Sequence, residues 1–219
     1  MFFEEHAKLL SDFARVSQAA GARADYVQGG GGNTSVKLPG GLMAIKASGF
    51  CLSDIRPDKA YAVLDGADLR NFYLTTEPSA LADVEKEGSA RAKADVRHID
   101  GLADLRPSVE AGFHSILKTF VVHTHSVYAN LAACSTACRP IAAQAFAGAN
   151  YTWGWVPYTD PGANLTFAIR DELRRVEKET GKVPSVILMQ NHGIIVHDDD
   201  PDTALAIHTD ANERLARMF

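Results

Sequence analysis

The chain is predicted to be a mixed α/β or α+β protein, and three observations predict it. Short apolar runs bounded by turn residues recur at 36–38, 42–46, 61–64, 120–125 and 186–196, as strands do. Between them lie longer segments whose apolar residues keep helical spacing, most clearly 3–20 and 162–179. Both kinds are interleaved along the whole length, with no internal repeat, low-complexity tract or linker, so one domain over residues 1–219 is the simplest expectation.

Taken in order, residues 3–20 put Leu9, Leu10, Phe13 and Val16 near one helix face, with Gly21 as the expected C-terminal stop. The run Gly29-Gly30-Gly31-Gly32-Asn33-Thr34-Ser35 then leads into Val36-Lys37-Leu38. Pro39-Gly40-Gly41 joins that strand to Leu42–Lys46 as a hairpin, and a loop carries Ser48-Gly49. Tyr61–Leu64 is a strand. Residues 67–104 have a weak pattern, read as helical excursions or a partly mobile insertion. Pro107-Ser108-Val109-Glu110 opens a helix running to about Lys118, since proline and an acidic first turn suit that end. Phe120–His125 reads as a buried strand and Val127–Ala137 as a helix. Gly181 ends the helix at 162–179, Val186–Val196 is a long apolar strand interrupted at Asn191-His192-Gly193, and Asp202 is the expected cap of a last helix.

Composition narrows the function classes. Apolar residues are 46% and charged residues 22%, the balance of a globular protein able to bury a core. The net charge of −5 provides no global basic surface for nucleic acid or an acidic membrane, so an anionic substrate needs a locally built site. No run approaches a membrane span, and the start, Met-Phe-Phe-Glu-Glu-His, lacks the basic and apolar regions of a secretory signal. Three cysteines, Cys51, Cys134 and Cys138, do not make a disulfide framework. Cys134 and Cys138 read as inert core thiols, and a cytoplasmic protein is expected.

The strongest chemical signal is His123-Thr124-His125. Residues i and i+2 of a strand share a face, so two imidazoles stand side by side at a strand end. Two neutral imidazoles suit Zn²⁺ or another borderline divalent metal, although two polar residues meeting water would read the same way. His192 adds weight, because a polar residue inside an apolar segment is costly without a partner. A satisfied core histidine is the simpler reading of His192 alone. Together the three make a site with an open fourth position, the catalytic arrangement. His197 faces away from His192 on a regular strand, and His6, His98 and His208 read as surface positions. Glu110 and His114 share one helix face. Glu110 is either a partner of the helix dipole or a general acid/base beside the metal. The glycine run matches neither a Walker A loop nor a dinucleotide fingerprint. It is a flexible turn or a nest of N–H groups for an anion, with Lys37, Lys46, Ser48-Gly49 and Ser108 as candidate helpers.

In this order, Gly31-Gly32-Asn33-Thr34-Ser35-Val36, Lys46-Ala47-Ser48-Gly49, Arg106-Pro107-Ser108-Val109-Glu110, His123-Thr124-His125-Ser126 and Asn191-His192-Gly193 resemble the class II aldolase/adducin family of sugar-phosphate lyases. The spelling of residues 28–37 looks most like the aldolase half of proteins that fuse such a domain to a short-chain dehydrogenase. The resemblance implies a three-layer α/β/α fold on a mixed, largely antiparallel sheet, assembled as a homotetramer with sites at subunit interfaces. It implies His123, His125 and His192 as Zn²⁺ ligands and Glu110 as the catalytic carboxylate. It also implies Gly32, Asn33, Ser48, Gly49 and Ser108 as the positions that bind the phosphate of a sugar phosphate.

The implied reaction is aldol cleavage of a ketose phosphate to dihydroxyacetone phosphate and an aldehyde. Two alternatives stand beside it. One is 4-epimerisation or dehydration within the same superfamily, although the epimerases tend to carry Asp where Glu110 stands. The other is a non-catalytic adducin-like scaffold, which would have lost the metal ligands. The chain departs from the pattern at Val109, where fuculose-phosphate-type aldolases carry a second phosphate-binding serine, and in the length of 67–104. The tail tyrosine of some aldolases has no match in these residues, which leaves Tyr151 and Tyr158 as candidates to act from a neighbouring subunit.

Overall fold

Continuous burial along the central strands decides the architecture. In the computed structural model, which describes all of residues 1–219, the elements are α1 (Phe2–Glu5), α2 (Ala7–Gly21), β1 (Asn33–Leu38), β2 (Leu42–Lys46), β3 (Tyr61–Asp65), α3 (Gly66–Thr75), α4 (Val84–Ala94), β4 (Val96–Arg97) and α5 (Ala111–Ile116). They continue with β5 (Phe120–Thr124), α6 (Val127–Ala133), α7 (Cys138–Ala145), β6 (Trp153–Val156), α8 (Ala163–Thr180), β7 (Val186–Met189), β8 (Gly193–Asp198) and α9 (Pro201–Ala216). The strands form one sheet in the order β4-β3-β2-β1-β5-β8-β7-β6, antiparallel except for the β6–β7 pair. Helices cover both faces, as central strands buried on two sides require. Phe120 and Val122 of β5 pack with Leu10 and Phe13 of α2, whereas Val121 between them packs with Phe113 of α5 and Ile169 of α8. Ile194 and Val196 of β8 pack against α6, α7 and α9 on the α2 side. Each such apolar side chain removed from water stabilises by about 1.5–3 kcal/mol. The expected three-layer α/β/α fold on a largely antiparallel sheet is the one observed.

Register positions the functional end of the sheet. β1 and β8 both run antiparallel to β5, with Asn33 opposite His123 and Thr124 opposite Ile194. The first residues of β1 and β8 therefore lie beside the last residues of β5. The opposite ends of the same strands bring Lys37, Phe120 and Asp198 together.

Several local expectations are corrected. The first helix breaks at His6. Gly21 is the last residue of α2 rather than a left-handed stop beyond it; glycine is needed there because a Cβ would meet Ser53 N at 2.7 Å, and the following Ala22 is ordinary right-handed backbone. Val186–Val196 is a hairpin, β7 and β8, rather than one strand. Its turn holds Asn191 at φ +54°, a conformation asparagine tolerates. Asp200, not Asp202, caps α9, and Asp202 pairs with Arg15 at 2.6 Å. The helix after His125 stops at Ala133, so Cys134 is exposed and only Cys138 is a core thiol. β6 has no forecast in the sequence: Trp-Gly-Trp-Val is a short edge strand whose backbone is held by Glu172, which accepts from Trp155 N at 2.7 Å. His6 and His208 are buried rather than on the surface, and His98 is exposed as expected.

Residues 67–104 resolve as helical excursions. α4 is tied to the start of α8 by Glu85, whose carboxylate accepts from Ala163 N at 2.9 Å and Asn164 N at 2.8 Å. An anion at a helix N-terminus satisfies donors that have no partner within the helix. Gly88 makes the approach possible, because a Cβ there would lie 2.4 Å from the Ala163 Cβ. No helix is long and apolar enough to cross a membrane.

Candidate active site

His123 sits near the end of β5, on the face covered by α5. Its Nδ1–H donates to the carbonyl of Ile194 at 3.0 Å, which fixes the tautomer. Nε2 is then a lone pair, and it is buried with no hydrogen-bond partner. His125 lies one residue past the strand and keeps to the same side, its ring 5.0 Å from that of His123. His192 arrives from the turn between β7 and β8, with ring centroids 4.9 Å from His123 and 5.2 Å from His125. One ligand atom from each histidine lies within 4.8 Å of the others. Glycine lets the turn come this close: a Cβ on Gly193 would meet the Thr124 carbonyl at 2.4 Å.

Burial pushes His123 down to about 3 and lowers His125 as well, so both are neutral imidazoles, the form that ligates metals. Buried polar atoms without partners are costly. Here the unpartnered atoms include His123 Nε2, His192 Nδ1 and Glu110 Oε1, all on residues around the three-ring cluster. A divalent cation among the three imidazoles fits this donor set and gives lone pairs their partner.

Glu110 is the residue just before α5, but its side chain does not cap that helix. It is 6% exposed and turns toward the histidines, with Oε1 3.1 Å from His192 Nε2 and Oε2 3.6 Å from His123 Nε2. Burial alone would raise its pKa. The neighbouring imidazoles and the Asn33 amide outweigh burial and hold the carboxyl well below the usual carboxylate range. The expected helix from Pro107 in fact begins at Ala111, and this frees Glu110 to face inward.

Asn33 links Glu110 to the rest of the site. Its Nδ2 donates to Glu110 Oε2 at 2.6 Å and to Ser108 Oγ at 3.0 Å, and its Oδ1 contacts His114 Nε2. His114 is fully buried and also bonds Ser35 Oγ at 2.8 Å. Ser48 joins the same neighbourhood because Ala47 bridges Pro107 and Ser48 N donates to the Arg106 carbonyl at 2.9 Å. Lys46, buried, donates to the carbonyls of Phe50 at 2.6 Å and Gly30 at 3.3 Å and so ties the Ser48-Gly49 loop to the glycine run. Gly32 and Gly49 have φ of +70° and +89°, the left-handed region where glycine carries no penalty.

The match to known proteins now carries weight. The family model described as Class II Aldolase and Adducin N-terminal domain matches residues 11–219. The chain belongs to the class II aldolase and adducin family. Among solved structures, it is similar to the N-terminal class II aldolase domain of a conserved protein from Thermoplasma acidophilum, at 20% identity and TM-score 0.76, with 95% of this chain and 92% of that one covered. It is also similar to an L-fuculose 1-phosphate aldolase, at 17% identity and TM-score 0.61, covering 96% and 84%. A third similar structure is a sugar-phosphate aldolase from Thermotoga maritima, at 15% identity and TM-score 0.61, covering 96% and 94%. These likenesses show the shared fold. No curated protein matches the chain significantly.

Within this family member, Glu110 and the histidine cluster converge from the lead-in to α5, the end of β5 and the β7–β8 turn. One feature escaped the sequence reading. His114 and Ser35 form the buried support of Asn33, and the available signal was the alternation of polar residues Asn33, Ser35 and Lys37 on one face of β1. Tyr151 donates to Asp210 at 2.9 Å in the cluster around α7 and α9, whereas Tyr158 is 56% exposed and its N–H reaches Gln190 beside the His192 turn.

Proposed function

We propose that this chain is a metal-dependent aldolase that reversibly cleaves a ketose phosphate to dihydroxyacetone phosphate and an aldehyde. The observation that carries the reading is the ionised, buried Glu110 held against three converging histidines. His123, His125 and His192 would hold Zn²⁺ or a similar divalent ion. That ion supplies Lewis-acid stabilisation for the negative charge that develops on the substrate oxygens as C3–C4 breaks. In cleavage the Glu110 carboxylate takes up the proton that the C4 hydroxyl loses as it becomes the aldehyde carbonyl and passes it to C3; in condensation it moves the proton the other way, with Asn33 fixing which carboxylate oxygen stays bound. Gly32, Asn33, Ser48, Gly49 and Ser108 anchor the phosphate, with the exposed Arg106 guanidinium adjoining Ser48 Oγ at 3.4 Å. Val109, 71% exposed beside Glu110, and Tyr158, exposed near the His192 turn, support a homo-oligomer in which a neighbouring subunit covers the site.

The test is a retro-aldol assay on a panel of ketose 1-phosphates with metal-loaded protein. Release of dihydroxyacetone phosphate is expected, and cleavage of none of the panel would overturn the reading. An epimerised product would point to the 4-epimerases of the superfamily, and absence of stoichiometric metal to an adducin-like scaffold. Glutamate at 110, together with all three histidines, favours the lyase.

A further inference from the structure

The far ends of the site-forming strands enclose a second cavity of about 670 Å³, at the C-terminal end of β1, the start of β5 and the flank of α8. Lys37 and Asn33 both belong to β1, so this cavity lies about 13 Å along the strand from the histidine cluster. Five cations line it, Lys37, Arg70, Lys118, Arg170 and Arg174, against two carboxylates, Glu177 and Asp199. Lys118 is paired with Asp198 at 2.9 Å and Arg170 with Asp171 at 2.9 Å. Asp199 is occupied by Thr119, whose N–H and hydroxyl donate to it.

Lys37 and Arg70 make no ion pair. Each bonds one carbonyl at the C-terminal end of α5, that of His114 for Lys37 and that of Ser115, at 3.3 Å, for Arg70. Capping those carbonyls uses one donor of each and leaves the remaining ammonium and guanidinium donors free. His197 also lines the cavity, its Nδ1 accepting from Lys118 N at 3.4 Å. Burial and the neighbouring Arg70 press Lys37 down to about 7, against the weaker opposing pull of Asp199.

We propose that this cavity binds a phosphate monoester of a small organic molecule, its phosphoryl group between Lys37 and Arg70 and its uncharged part against Leu74 and Leu173. The Arg70 guanidinium, with the Lys37 ammonium that the ligand's own charge holds protonated, matches the charge of about −1.5 to −2 that a phosphate monoester carries at pH 7. The cavity volume is that of a small-ligand site, and its walls mix leucines with a few converging donors. The inference uses none of the residues assigned to the metal or to the phosphate of the proposed aldolase substrate, so it stands or falls separately from that function.

The full chain carrying Ser48→Ala and Ser108→Ala, which removes two of the side-chain donors of the other proposed phosphate position, is titrated by calorimetry at fixed ionic strength with glycerol 3-phosphate and with inorganic phosphate. One equivalent of glycerol 3-phosphate is expected to bind, more tightly than inorganic phosphate. Arg70→Met and Lys37→Met should each weaken it at least tenfold. Arg70 is on the surface, so its variant carries the test if Lys37→Met loses its circular dichroism signature. Absence of glycerol 3-phosphate binding, binding unaffected by Arg70→Met, or equal affinity for inorganic phosphate overturns the proposal.

Discussion

Asn33 Nδ2 lies 2.6 Å from Glu110 Oε2, and the same amide leans through its oxygen on His114. An asparagine at the first position of β1 thus orients a carboxylate 77 residues away. Asn33→Ala is expected to lower kcat about 10–100-fold, the usual cost of removing a supporting partner, while metal content stays near one ion per chain. Metal analysis alongside steady-state kinetics checks this, and loss of metal in the variant would reassign Asn33 to building the histidine cluster.

Glu110→Gln keeps the shape of the side chain and removes the proton carrier. The expected result is a fall in kcat of about 10²–10⁴-fold with metal retained and thermal stability not reduced. Equal activity of Glu110→Gln and the parent protein would remove Glu110 from the chemistry.

Metal content separates the histidines. His123→Ala and His192→Ala should each leave the protein with substoichiometric Zn²⁺ after dialysis, whereas His197→Ala should bind as the parent does, since His197 sits opposite Val121 at the other end of β8. Elemental analysis reads both outcomes.

Gly32→Ala places a Cβ 2.6 Å from the His123 carbonyl at φ +70°. The left-handed conformation alone costs about 1–2 kcal/mol, so a lower melting temperature and weaker metal binding are expected together. A melting curve with and without chelator measures the two effects.

The Arg23–Asp25 pair predicts a pH dependence. Arg23 lies 2.7 Å from Asp25, which also accepts from Asn212 of α9 at 3.0 Å, and these partners hold the Asp25 carboxyl below its ordinary value despite partial burial. A depressed carboxylate contributes stability that is present above the unfolded pKa of about 3.9 and is lost as pH falls through the folded value. Asp25→Asn should therefore destabilise the protein at pH 7 and have little effect near pH 2. Denaturant unfolding at the two pH values checks it, and a constant difference would show that the pair contributes through packing instead.

Much of the fold was legible because local chemistry agreed with tertiary structure. The Pro39-Gly40-Gly41 turn, the apolar run at 120–122 and the amphipathic helix ended by Gly181 each say the same thing at both levels, and Gly181 takes the left-handed conformation its position demands. Where a residue's role depends on what lies across the sheet, local reading failed. Gly88 looks like a helix defect until its neighbour Ala163 is seen, and Gly21 like a simple helix stop until Ser53 is seen against it. Glu110 looks like a helix-dipole partner until the helix is found to start only after it, at Ala111.

The sequence alone determined which chemical groups are available: the His-x-His pair, a third histidine in an apolar segment, one glutamate beside a proline-led loop and a glycine run. Spacing along a strand is a local property, so His123 and His125 could be placed on one side without further information. Only the tertiary structure decided that His192 joins them, that Glu110 turns away from its helix to meet them, and that Asn33, Ser35 and His114 form its support. Apart from Glu110 and His123, those contacts join residues some 70 to 80 positions apart, and the register of β1 and β8 against β5 brings their elements together. The pairing of whole strands sets that register, and no single stretch of sequence carries it.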